Sequence, residues 1–258
     1  MARQKLGQHF LASAGTLEKI ALAACGPGVD LAVEIGPGKG ALTERLLAHA
    51  QRVVAFELDR ELAAYLVERW ADEPRLNVRQ ADALTVDFAK WPDERNAVLA
   101  GNLPYYAATA IISRFLRAPG DLRHGTFLIQ KEVADRIAAR PGTRDYGYLT
   151  VECEYLANVE YLFTVPPGAF RPPPKVNSAV VRLTPRQTGG TEESKAFLDF
   201  ASACFRQKRK TLRNNLSGRY DLWELPRDPR LTKRAEELSV GELLSLFESV
   251  AAAPRTPR

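Results

Sequence analysis

Asn102-Leu103-Pro104-Tyr105 brings an amide side chain, a main-chain carbonyl and an aromatic ring together within four residues. Pro104 biases Leu103 toward an extended backbone, which can turn a carbonyl into a cleft, while Asn102 offers a side-chain oxygen and Tyr105 a ring face. Two acceptors and a stacking surface suit an exocyclic amine on a planar base. The N6 lone pair of adenine is delocalised into its ring, so the nitrogen is a poor nucleophile until both N–H bonds are held by acceptors. Its lone pair can then attack the methyl of a sulfonium in line. No strong general base is needed, because the proton becomes acidic only after the methyl has moved. The plain alternative is an Asn-Pro turn with packed tyrosines.

Val33-Glu34-Ile35-Gly36-Pro37-Gly38-Lys39-Gly40 reads as the end of a strand running into a helix, and its glycines let backbone amides approach a ligand at the helix N-terminus. Glu57 stands 21 residues beyond Gly36, where either a nicotinamide cofactor or S-adenosylmethionine needs an acid for its ribose. Asp82 follows the next strand and can accept from the exocyclic amine of an adenine, or serve simply as a cap.

The elements that must position these residues alternate. Leu31 to Ile35, Arg52 to Glu57, Leu76 to Gln80, Asn96 to Ala100 and Gly125 to Gln130 read as buried strands. Between them, residues 41–48, 60–70, 107–116 and 131–140 carry apolar residues at helical spacing. That alternation predicts a mostly parallel sheet with helices on both faces. Val159 to Phe163 and Ser178 to Leu183 flank a proline-rich loop too short for a crossover helix, and they predict a terminal antiparallel hairpin. Beyond the polar segment Thr184 to Gly190 only helical patterns remain, with Phe197, Phe200, Ala201, Cys204 and Phe205 on one face and a last helix over 237–251. The expected domains are therefore 1–184, an α/β Rossmann-like unit, and 191–258, a small all-α unit.

The chain has 258 residues, 45% hydrophobic and 26% charged, which excludes disordered and collagen-like classes and leaves little room for two full enzymes. Its net charge of +5 permits a polyanionic partner. Arg206, Lys208, Arg209, Lys210 and Arg213 cluster without an acidic residue between them, either as a solvated face or as phosphate contacts. Three cysteines without metal or disulfide spacing point to a reducing compartment and no metal. The first residues lack the apolar run of a signal peptide or membrane span, so a cytoplasmic, membrane-free protein is expected.

Asn-Leu-Pro-Tyr, the Glu-x-Gly-x-Gly-x-Gly turn, Gln8-His9-Phe10-Leu11 and the segment Phe170 to Arg182 together resemble the ribosomal RNA adenine N6-dimethyltransferase family. The likeness runs nearly the whole chain, and Phe205 to Leu216 is more similar to the bacterial small-subunit branch than to the antibiotic-resistance branch. It implies a fold of the S-adenosylmethionine-dependent methyltransferases, with the helical unit docking on RNA. It also implies that His9 and Leu11 cover the cofactor, that Gly36 and Gly38 lie against it, that Glu57 binds its ribose, and that Asp82 holds its adenine. Asn102 would be shared between cofactor and target, with Leu103, Pro104 and Tyr105 completing the catalytic motif. Phe170 would sandwich a flipped base against Tyr105. The implied substrate is two adjacent adenines of a small-subunit RNA hairpin in a pre-ribosomal particle, methylated by a monomer. Tyr106 and Ala107 depart from the more polar residues of the family, which bears on pocket shape.

Three alternatives stand beside this reading. A DNA N6-adenine methyltransferase uses a related motif, but Leu103 and the Phe170 loop argue against it. A ribosome-assembly factor without catalysis would have less use for Glu57, Asp82, Asn102 and Tyr105 together. A nicotinamide oxidoreductase lacks a visible proton-transfer pair.

Overall fold

The computed structural model describes residues 9–88, 96–187, 191–220, 222 and 228–252. Gln8 of the N-terminal motif and residues 188–190 of the expected linker lie outside them. Packing divides the chain into two units, Met1–Ala134 with Ala157–Pro185, and Asp135–Leu156 with Arg186–Arg258.

The first unit carries the predicted alternation. Its strands are β1 (Phe10–Leu11), β2 (Val29–Ile35), β3 (Ala50–Glu57), β4 (Leu76–Gln80), β5 (Ala97–Asn102), β6 (Gly125–Gln130), β7 (Ala157–Val165), β8 (Phe170–Arg171) and β9 (Ser178–Pro185). The helices are α1 (Ala14–Cys25), α2 (Ala41–His49), α3 (Arg60–Arg69) and α4 (Ala108–Arg117), and α5 (Lys131–Ile137) begins in this unit. Among the described residues one seven-stranded sheet runs β4-β3-β2-β5-β6-β9-β7. β2 to β6 pair in parallel, and β9 lies antiparallel between β6 and β7. The hairpin thus closes the sheet as its sequence predicts, with the later strand inside.

From β2 the chain winds outward through β3 to β4, then returns to place β5 on the other side of β2. The strand order therefore reverses between β2 and β5, and the crevice beyond their carboxyl ends is where such sheets bind ligands. Gly101 makes the closeness of these strands possible, because a Cβ there would lie 2.6 Å from the Ile35 carbonyl oxygen. Gly40 opens α2 at φ +81°, and a Cβ on it would meet the Trp70 ring at 2.3 Å. Neither position has room for a side chain.

A second, two-stranded sheet has no forewarning in the hydrophobic pattern: β1 pairs antiparallel with β8, Leu11 opposite Phe170. Two residues per strand are too few for any periodicity to register. α1 is a further addition, capped by Ser13, whose hydroxyl accepts from the Thr16 amide.

The second unit contains α6 (Tyr148–Leu156), α7 (Glu192–Cys204), α8 (Leu212–Leu216) and α9 (Val240–Ala252). Residues 135–156 differ from expectation, since the boundary at 184 assigns them to the first domain. Aromatic packing accounts for this: Tyr155 lies 4.4 Å from Phe197 and Tyr146 lies 6.1 Å from Phe205, ring centre to ring centre. Phe197, Phe200, Ala201 and Cys204 are buried as their spacing predicts, and Phe205 is half-buried at the helix end. Cys25, Cys153 and Cys204 are all buried free thiols. Burial pushes Cys25 and Cys204 up to about 12 and raises Cys153 as well. Among the described residues no helix is long and apolar enough to cross a membrane.

Candidate active site

A cleft of about 340 Å³ opens at the reversal point of the first unit. His9, Leu11, Gly36, Gly38, Glu57 and Asp82 all line it, together with Asn102, Leu103, Pro104 and Tyr105. Residues separated by more than ninety positions in sequence therefore meet at the ends of β1, β2, β3 and β5.

Three amides of the glycine-rich turn are held within the protein. Gly36 N–H donates to the Phe56 carbonyl and Gly40 N–H to the Pro37 carbonyl. Gly38 N–H donates to Glu57 Oε2 at 2.9 Å. The glycines let the loop fold tightly against its neighbours, and the amide of Gly38 fixes the acid at the end of β3. Glu57 Oε1 accepts in turn from the Asp59 amide at 2.9 Å, so the buried carboxylate is clamped on both oxygens with lone pairs left for a diol.

Glu34, given no role from sequence, is 1% exposed yet lines the same cleft. Burial pushes its carboxyl up to about 8; the Thr43 hydroxyl, donating at 2.6 Å, opposes the shift, and the nearby Glu57 charge adds to it. A buried acid held partly neutral is a ready counter-charge for a cation entering the cleft. The signal was in the strand itself, an acid within an otherwise apolar run.

Asp82 caps its own turn and lines the cleft. Its Oδ1 accepts from the Leu84 amide at 2.9 Å, and the residue is exposed.

Asn102 Nδ2 donates to the His9 carbonyl at 3.3 Å, which leaves its Oδ1 as the acceptor of the amide. The Pro104 carbonyl is taken by the amides of Ala107 and Ala108 as α4 begins. The Tyr105 hydroxyl bonds Ser178 Oγ at 2.9 Å, and its ring centre lies 6.0 Å from that of His9 at a tilt of 31°. His9 Nδ1–H donates to the Pro172 carbonyl at 2.8 Å. His9 thus orders the N-terminal segment through its ring and meets the catalytic motif through its backbone. Ser178 and Pro172 are supporting partners that no spacing rule reveals.

Phe170 must be corrected. Its ring is 0% exposed and packs in the apolar core with Leu11, Leu17, Ile20 and Val180, outside the cleft lining. Pairing of β8 with β1 turns it inward, so no face is offered to a base opposite Tyr105.

In the second unit the basic stretch spans the turn between α7 and α8 and reaches into α8 at Arg213. Arg206, Lys208, Arg209 and Lys210 are exposed and Arg213 is half-buried. Buried Asn215 holds this turn, donating to the Cys204 carbonyl at 2.7 Å and accepting from the Gln207 amide at 3.2 Å. Lys208 is partly engaged internally, donating to the Arg144 carbonyl at 2.7 Å and lying 3.9 Å from Glu236.

The sequence matches the family model for ribosomal RNA adenine dimethylase over residues 1–252. It is 46% identical over 252 residues to ribosomal RNA small subunit methyltransferase A of Nitrosococcus oceani, covering 95% of this chain and 94% of that one. The protein of the same name from Acidobacterium capsulatum is 42% identical, covering 96% and 91%. A dimethyladenosine transferase from Plasmodium falciparum superimposes with a TM-score of 0.78 at 26% identity, covering 94% of this chain and 98% of that one. The 23S rRNA methyltransferase ErmE does so at 0.71 and 28% identity, covering 94% and 99%. With a cleft at the reversal point and a match spanning almost every residue, the chain belongs to the ribosomal RNA adenine dimethylases and is an adenine methyltransferase of the small-subunit kind.

Proposed function

We propose that the cleft binds S-adenosylmethionine and that the protein dimethylates N6 of two adjacent adenines in a small-subunit RNA hairpin within a pre-ribosomal particle, acting as a cytoplasmic monomer. The donor set suits this cofactor. Clamped Glu57 offers acceptors to the ribose hydroxyls, Asp82 borders the place for the adenine amine, and Glu34, once ionised, complements the ammonium of the amino-acid end. Gly36, Gly38, His9 and Leu11 enclose it. When bound, S-adenosylmethionine supplies an electrophilic methyl group.

The single observation that carries the reaction is the orientation of Asn102. Its nitrogen is committed to the His9 carbonyl, which leaves its oxygen as one acceptor for a target amine; in this reading the Leu103 carbonyl is the second, the Pro104 carbonyl being spent on α4. Holding both bonds frees the nitrogen lone pair without a charged base, and fixed dipoles need no reorganisation as charge develops. Tyr105, anchored through Ser178, offers its ring to the base.

The test mixes protein, labelled donor and undermethylated small subunits, then identifies the modified nucleoside. Dimethyladenosine is expected. Asn102→Ala should lower kcat by roughly 100-fold or more, the scale of removing one preorganised polar group, while Tyr105→Phe keeps most activity. Full activity in Asn102→Ala removes the mechanism.

A further inference from the structure

We propose that Tyr106 is a stacking platform for the nucleotide next to the target adenine, which makes it a residue that positions the adjacent pair; this rests on the dimethylase reading of the cleft. Tyr106 is 66% exposed, although it lines the cleft and directly follows the catalytic motif. Leu58 and Leu84, 46% and 38% exposed, line the same cleft, so exposed apolar surface gathers at this opening. Scattered exposed apolar side chains need no explanation, but a group around a ligand cleft marks a contact surface.

The other aromatic rings near the cleft have other places. Phe170 and Phe56 are buried, Phe10 is half-buried under the Lys39 ammonium, and Tyr105 is assigned to the target base itself. The hydroxyl of Tyr106 has no hydrogen-bond partner among the described residues, so the ring is not there to hold an internal contact.

Size supplies the rest. A cleft of about 340 Å³ is at the small end of ligand pockets, and the acceptors at the Asn102 motif serve a single target amine. When one adenine of an adjacent pair is inside, its neighbour remains at the opening. Tyr106 directly follows Tyr105, their Cα atoms about 3.8 Å apart, and it is largely exposed where it borders the cleft. Base stacking on an aromatic ring tolerates any base, so either adenine can occupy the platform while the other reacts.

The experiment measures methylation of undermethylated small subunits by wild type, Tyr106→Ala, Tyr106→Phe and Tyr106→Trp, with cofactor affinity by calorimetry and melting temperature alongside. Tyr106→Ala should raise KM for the particle about 5- to 150-fold, the range for removing one base stack. Its kcat at saturation, cofactor affinity and melting temperature should stay as in wild type, and Phe and Trp should restore KM. An unchanged KM in Tyr106→Ala overturns the proposal, as does equal impairment of the Phe and Ala variants, which would assign the effect to the hydroxyl. If wild type itself leaves the particles unmethylated, the dimethylase reading fails first and the platform falls with it.

Discussion

Glu34 shows what one buried carboxyl can do to the pH behaviour of a site. Its pKa, pushed up to about 8 by burial, stands above the usual value of 4.5, so the folded protein without a cation in the cleft holds a proton there that the unfolded chain has lost. The linked stability is present below the unfolded pKa and is lost as pH rises toward 8. A cationic ligand favours the ionised form and reverses this, releasing the proton on binding. Affinity for S-adenosylmethionine or its demethylated product should therefore tighten with rising pH and level off above about 8, by at most about tenfold per pH unit. Calorimetry in buffers of different ionisation enthalpy counts the released proton. In Glu34→Gln the pH slope should vanish; a slope that persists assigns the effect to another group.

At the level of elements, the pairing of β1 with β8 decides more than its two residues per strand suggest. It turns Phe170 into the core and brings His9 to both Pro172 and Asn102. Phe170→Ala should accordingly behave as a core truncation, lowering stability by about 3–5 kcal/mol in denaturant unfolding, with Phe170→Leu milder. Near wild-type stability with abolished activity would return the ring to a stacking role. Four of the parallel strands were legible because each carries a short apolar run bounded by turn residues, and Asn102 and Glu57 were legible because they end such runs; β4, Leu-Asn-Val-Arg-Gln, is an edge strand with no buried residue, against the buried strand expected there. Phe170 was not legible, since an aromatic beside prolines looks alike whether it faces a base or a core. The Pro172 and Ser178 contacts were hidden too, because hydrogen bonds across 163 and 73 positions leave no local pattern. Residues 135–156 went astray for a related reason, as their partners Phe197 and Phe205 lie far along the chain.

At the scale of the molecule, chemistry belongs to one unit and the clustered positive charge to the other. Arg206, Arg209 and Lys210 are exposed on a turn pinned by Asn215, while Lys208 is already engaged with Arg144 and Glu236. Changing Arg206, Arg209 and Lys210 together to Gln should weaken particle binding and flatten its salt dependence, by roughly one unit of slope or a little less for every phosphate that is no longer neutralised. Cofactor affinity should be unaffected, and an unchanged salt slope would leave these residues a solvated face. The three buried thiols carry a practical corollary. With Cys25, Cys153 and Cys204 buried and hard to ionise, the folded natural chain should react slowly with thiol reagents. A single cysteine introduced at Arg209 would be its one reactive handle, so a fluorophore or cross-linker could be attached there without first rebuilding the core.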